Sequence, residues 1–253
     1  MDFGAMETVA ARLARGLDLG ASEAKNTWRE TEKTARRAAI ETVKNPEFSP
    51  RNGALQNALC SAARALDDVA RFGVSGGEGA RESGLFAAAA FAASGNFATS
   101  SVVARRTFPK FSGRDALTAS ALSVLCPALC ATWKRESDFA RALNRFLRGD
   151  APFSDARAAW QTVWNGDFAP IFSEIRPLLD AALTAIEHGA THGLARDIEP
   201  AWRGKIAREK PVLLPPQIAA IERGLLRRGN AILALPPGTG KTLLGELFLA
   251  SRL

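Results

Sequence analysis

The stretch NAILALPPGTGKTLLGEL, residues 230–247, limits the architecture of this chain more than any other. A short apolar run, residues 231–235, leads into Pro-Pro-Gly-Thr-Gly-Lys-Thr and then into a helix-forming sequence. Strand, glycine-rich turn and helix N-terminus in that order make a cradle for phosphate groups. Gly238 and Gly240 let the backbone turn tightly and point successive N–H groups inward. Lys241 supplies a point charge for the β- and γ-phosphates, and Thr242 a hydroxyl for Mg²⁺. Pro237, Gly238, Thr239, Gly240, Lys241 and Thr242 are thus the expected nucleotide contacts. Lys241 and Thr242 are the expected catalytic pair, and Thr242 is the metal ligand.

The residues upstream divide the phosphate-loop classes. In VLLPPQIAAIERGLLRRGNAILALPPGTGKTLLGELFLA, Pro216-Gln217 precedes a short helix, Gly224-Leu225-Leu226 a turn, and Gly229-Asn230 the strand. This order and spacing resemble the entry segment of superfamily 2 DEAD/DEAH-box helicases, above all their Ski-like branch. The resemblance covers residues 211–250. It implies a RecA-like α/β motor domain, ATP and Mg²⁺ as cofactors, and DNA or RNA as partner. It also implies that Gln217 reads the adenine edge, favouring ATP over GTP, and that Glu246 lies on the first helix after the loop. Leu235 departs from the pattern, which has Gly there, or Ala in many helicases. An AAA+ remodelling ATPase shares Pro-Pro-Gly-Thr-Gly-Lys-Thr and stays open as an alternative, as does a helical protein-interaction module.

Hydrolysis needs an Asp on a later strand for the metal and a base for water. Only 11 residues follow Thr242. A lone parallel strand also leaves its ladder groups unpaired. The chain is therefore expected to be the N-terminal part of a longer helicase, inactive as an ATPase by itself.

Residues 1–200 read as an α-helical accessory domain, a bundle or helical hairpin, and 201–253 as a linker and the truncated start of the motor domain: helix, strand, P-loop, helix. The fold class is mainly α. Phe3, Met6, Val9, Leu13 and Leu17 recur at helical spacing, with Gly20 as a stop. A wet-surfaced helix follows over Ala21–Lys44, and NPEFSPRNG breaks it, with Ser49 a cap and Pro50 a first-turn position. Leu55, Leu59, Ala62, Leu66 and Val69 line the next helix, and 73–79 is a glycine-rich loop. Residues 82–109 form an alanine-rich hairpin turning at Gly95, faintly like one tetratricopeptide repeat without a second copy. Helices are expected over 114–129, 137–147, 154–164 and 171–186, with Pro177 starting or kinking the last. Residues 217–226 and 242–250 read as helices and 231–235 as a strand. Residues 197–210 read as the boundary. Trp133, Trp160 and Trp164 read as core or interface anchors.

Charge is concentrated rather than spread. Residues 201–253 hold nine Lys or Arg and three Glu, which is six of the formal net charge of +7. A basic segment over 201–230 suits nucleic-acid phosphate. The helical domain has room for a protein partner. No apolar run approaches the roughly 20 residues of a membrane span, no secretory signal is evident, and the cytoplasm is the expected location. Cys60, Cys126 and Cys130 do not form a disulfide framework. Cys126 and Cys130 with His188 and His192 are spaced too loosely for a compact zinc site and read as core cysteines and loop histidines.

Overall fold

A computed structural model describes residues 21–72, 78–107, 116–128, 137–165, 170–227, 230–235 and 239–252. The expectations for residues 3–17, Cys130, Trp133, Pro237 and Gly238 lie outside these. The described residues are mainly helical: α1 (Ala21–Lys44), α2 (Gly53–Phe72), α3 (Glu78–Ala93), α4 (Phe97–Thr107), α5 (Ala116–Leu125), α6 (Asp138–Arg148), α7 (Phe153–Val163), α8 (Pro170–Gly189), α9 (Thr191–Leu194), α10 (Pro200–Glu209), α11 (Pro215–Glu222) and α12 (Lys241–Ala250). Among them no helix is long and apolar enough to cross a membrane. They fall into two compact units. The first takes described residues from 1–114, 124–126 and 167–185, and the second those from 115–123, 127–166 and 186–253.

In the first unit α1 to α4 pack in sequence order, with α3 beside α1, α2 and α4. Leu85 to Ala93 of α3 are all buried. A helix that is apolar on every side belongs at the centre of its layer, and its alanines let neighbours approach closely. The chain reverses at Gly95 (φ 77°), where Gly95 N–H donates to Ala92 O and Asn96 N–H to Phe91 O, each at 2.8 Å. Only glycine adopts this left-handed turn without strain, which is why the hairpin was legible. Ser100 Oγ lies 2.9 Å from both Ala88 O and Leu125 O, so its single proton serves one carbonyl at a time.

α1 turns Trp28, Thr31, Ala35, Ala38, Ala39 and Thr42 inward, and Trp28 is the only large side chain of these six. With so little apolar surface, α1 is also held by charge. Arg36 Nη2 donates to Glu32 Oε1 at 2.6 Å and to Glu82 Oε2 at 3.2 Å, and Nη1 lies 3.7 Å from Glu174. Its guanidinium carbon sits 4.6 Å over the Phe86 ring. Ser83 Oγ donates to the same Glu32 oxygen at 2.6 Å. One guanidinium therefore joins α1, α3 and α8.

In the second unit Ser137 caps α6, its Oγ accepting Ala140 N–H at 3.1 Å, and Gly149 (φ 81°) ends it. Phe139, Leu143, Phe146 and Leu147 face inward. Trp160 packs on Phe139 with ring centroids 4.8 Å apart and meets Trp164 edge-on at 5.3 Å. Both tryptophans are core residues. α8, which belongs to the first unit as far as residue 185, runs through Pro177 instead of starting there. The ring removes only one helical N–H donor, and Leu178 and Leu179 next to it stay fully buried.

Residues 197–210, expected as a boundary, contain α10, opened by Pro200 at its first turn. Ala207 is its only buried residue, so no apolar stripe advertised it. The main chain beyond α10 is pinned by an antiparallel bridge of Ala190 with Val212, with Leu213 N–H donating to Gly189 O at 2.9 Å. The expected 200/201 boundary thus falls inside the second unit.

His192 of α9 lies edge-on to Phe146, ring centroids 4.8 Å apart, and its Nε2 is buried without a hydrogen-bond partner among the described residues. Burial lowers its pKa below the ordinary 6.5, and the charges of Arg203 and Arg196 act in the same direction. Between pH 6.5 and that lowered value the unfolded chain binds a proton that the folded chain refuses. Stability is full above 6.5 and falls as the pH drops through this window. A lower melting temperature at about pH 5.5 than at about pH 7.5 is expected, with the difference narrowed in His192→Met. Thermal melts across this range check it.

Candidate functional site

Three segments of the second unit build the site. Pro215 opens α11 and Gly224 (φ 89°) stops the chain just beyond its end, so the helix is Pro215–Glu222 and not 217–226. Leu225 and Leu226 then enter an apolar cluster with Leu213, Ile218, Leu244 and Leu247. α12 contributes Leu244, Leu247 and Ala250 to that cluster and leaves Lys241 and Thr242 exposed in its first turn.

The segment 231–235 is not a strand, and no strand forms among the described residues. Its side chains nonetheless alternate: Leu233 and Leu235 pack against the cluster, while Ile232 is fully exposed and Ala234 is exposed. The alternation is what a two-residue period dictates, but among the described residues no neighbouring strand pairs with it. The same packing explains Leu235 at the position where the phosphate-loop pattern has a smaller residue. Its side chain packs against the apolar cluster, which leaves its carbonyl to bond elsewhere.

That carbonyl has a partner. Lys241 Nζ donates to Leu235 O at 2.9 Å. Gly240 caps α12 in the left-handed conformation, φ 70° and ψ 42°. A Cβ at Gly240 would strike Gln217 Nε2, so glycine is required here by conformation and by space alike.

Gln217 sits in the first turn of α11. It is only 3% exposed. Its Oε1 accepts Leu214 N–H at 2.8 Å, closing the first turn of α11. Its Nε2 donates to Thr239 O at 3.1 Å and Gly240 O at 3.2 Å. The carboxamide ties α11 to the end of the loop through these three hydrogen bonds. Sequence reasoning missed this role, although a Gln three residues after a helix cap is itself a capping signal.

The arrangement therefore brings Gln217, Thr239, Gly240 and Lys241 together, with Thr242 next on the helix. Groups of this kind suit an anion. The first turn of a helix carries free N–H groups and the positive end of its dipole, and Lys241 and Thr242 are exposed in that turn of α12. No protein-family model matches this chain, and no curated protein or solved structure is significantly similar to it.

The basic segment is partly displayed. Trp202 is 43% exposed on α10 with Lys205 Nζ 5.5 Å from its ring centroid. Arg208 and Lys210 are exposed, and Arg227 Nε donates to Asp197 at 3.0 Å. Among the described residues no group of three or more His, Cys, Asp or Glu is arranged to hold a metal. His188 Nε2 lies 3.6 Å from Glu222. Burial raises the Cys126 thiol pKa, against the smaller pull of Ser101 and Arg105.

Proposed function

We propose that residues 236–242 bind the triphosphate of MgATP and serve an ATP-dependent helicase or translocase acting on nucleic acid. The observation that carries this is Gly240, left-handed at the cap of α12, with Lys241 and Thr242 exposed in the turn behind it. In this reading Lys241 leaves Leu235 O for the phosphates, and Thr242 Oγ1 joins the coordination shell of Mg²⁺. Gln217 holds the loop's last two carbonyls so that the following N–H groups stay aimed at the ligand. The helicase assignment draws on Pro216-Gln217, Gly224-Leu225-Leu226 and the glycine loop in that order, and on the basic face around Trp202 and Lys205.

Fluorescence titration with a labelled ATP analogue, with and without Mg²⁺, tests the reading. Tripolyphosphate should displace the analogue and adenosine should not, because the phosphates are what the loop grips. Thr242→Ala should lose about tenfold of the Mg²⁺-dependent affinity, the worth of one hydroxyl ligand. Displacement by adenosine as effective as by ATP, or absence of binding, would remove the proposal.

A further inference from the structure

A separate positive site lies in the first unit. The C-terminal ends of α2 and α4 and the first turn of α3 enclose a cavity of about 650 Å³, lined by Arg71, Phe72, Arg81, Arg106, Thr107 and two alanines. Among the described residues that line it, three carry guanidinium groups and none a carboxylate. Asp67 is shared: it pairs with Arg106 Nη2 and lies 3.7 Å from Arg71 Nε, with its own side chain 15% exposed. One negative charge is thus spread over two arginines. Arg71 and Arg106 stand in the last turns of their helices, where the helix dipole favours cations. Arg81 does not. It sits in the first turn of α3, at the positive end, and has no ion pair among the described residues. An anion beside it would offset that placement.

The cavity is built by a close approach. A Cβ on Gly84 of α3 would fall on Thr107 Oγ1 and 2.9 Å from its Cγ2, so the missing side chain brings the end of α4 onto α3. Phe72 stands beside the arginines with half its surface exposed (51%). Planar guanidinium forks match phosphate oxygens, and an exposed ring beside them offers a stacking face for a base.

We infer that this cavity binds single-stranded nucleic acid, the arginines holding phosphates and Phe72 stacking on a base. The anion chemistry rests on the cavity alone, and the choice of nucleic acid as its source rests on the proposed function. The test is fluorescence anisotropy of a labelled oligothymidylate with the full chain across a salt series. Arg81→Glu should weaken binding about tenfold and reduce the log–log salt slope by about one. Phe72→Ala should weaken it about tenfold at an unchanged slope. Both sites are exposed, and unchanged melting temperatures will show that the variants are folded. Lys241→Ala should leave oligonucleotide binding intact while MgATP binding falls, so the two readings fail separately. Wild-type affinity in Arg81→Glu and Phe72→Ala would place any binding elsewhere and overturn the inference. So would no binding to wild type, affinity no better than that of inorganic phosphate, or equal binding of polyglutamate.

Discussion

Glutamate in place of Gln217 is expected to weaken MgATP binding by roughly tenfold to a hundredfold, the scale of one or two buried hydrogen bonds lost. The argument follows from the two ends of one carboxamide. Its oxygen accepts Leu214 N–H and its nitrogen donates to Thr239 O and Gly240 O. A carboxylate keeps the first contact and reverses the second, setting a charged oxygen against two carbonyl oxygens in a nearly buried place. The loop must open to relieve this, and the N–H groups that follow Gly240 lose their aim. Gln217→Leu removes all three contacts and orphans Leu214 N–H at about 1–3 kcal/mol, with a similar loss of affinity. Hydrogen exchange in α3 should be the same in both variants, because the effect is local. Calorimetric titration with MgATP measures the first result. Equal affinity in wild type and Gln217→Glu would show that the carboxamide does not shape the site.

Arg36→Ala is expected to destabilise the first unit by about 2–4 kcal/mol, seen as a melting transition lower by roughly 10 °C. The arginine and Glu32 side chains are 20% and 18% exposed, whereas Glu82 and Glu174 are 39% and 57% exposed. The Glu32 pair therefore dominates, since exposed pairs contribute little. Removing the guanidinium strands Glu32 with only the Ser83 hydroxyl and strips the face of Phe86. Arg36→Met in combination with Glu32→Met should recover most of the loss, because apolar replacement of both partners removes the stranded charge. Denaturant melts of the single and double variants check this. Failure of the double variant to recover stability would mean that the contacts to Glu82, Glu174 and Phe86 carry the effect.

What the sequence made legible followed from strong local signals. The hairpin turned at Gly95, and the helices expected over 137–147 and 242–250 appeared as Asp138–Arg148 and Lys241–Ala250, because a glycine turn and helical spacing are local signals. α10 was hidden for the opposite reason. Its residues form a helix by propensity and by Pro200 in the first turn, yet it buries so little that no period shows. The strand expected over 231–235 required a partner that a residue pattern cannot supply, and only its alternation survived. At the site, the tight turn at Gly240 was readable because a left-handed backbone calls for glycine. The task of Gln217 was not readable, because a buried carboxamide takes its role from what the fold places around it. The arginine cavity was equally invisible, since Arg71, Arg81 and Arg106 meet only through the packing of α2, α3 and α4.

The central claim is that this loop grips a triphosphate through Lys241. Isothermal titration of MgATP into the wild-type chain and into Lys241→Ala tests it most directly. One saturable site is expected in the wild type, weakened about tenfold to a hundredfold by the loss of the ammonium's charge-assisted hydrogen bonds. No saturable binding to the wild type, or the same affinity in both proteins, would contradict it.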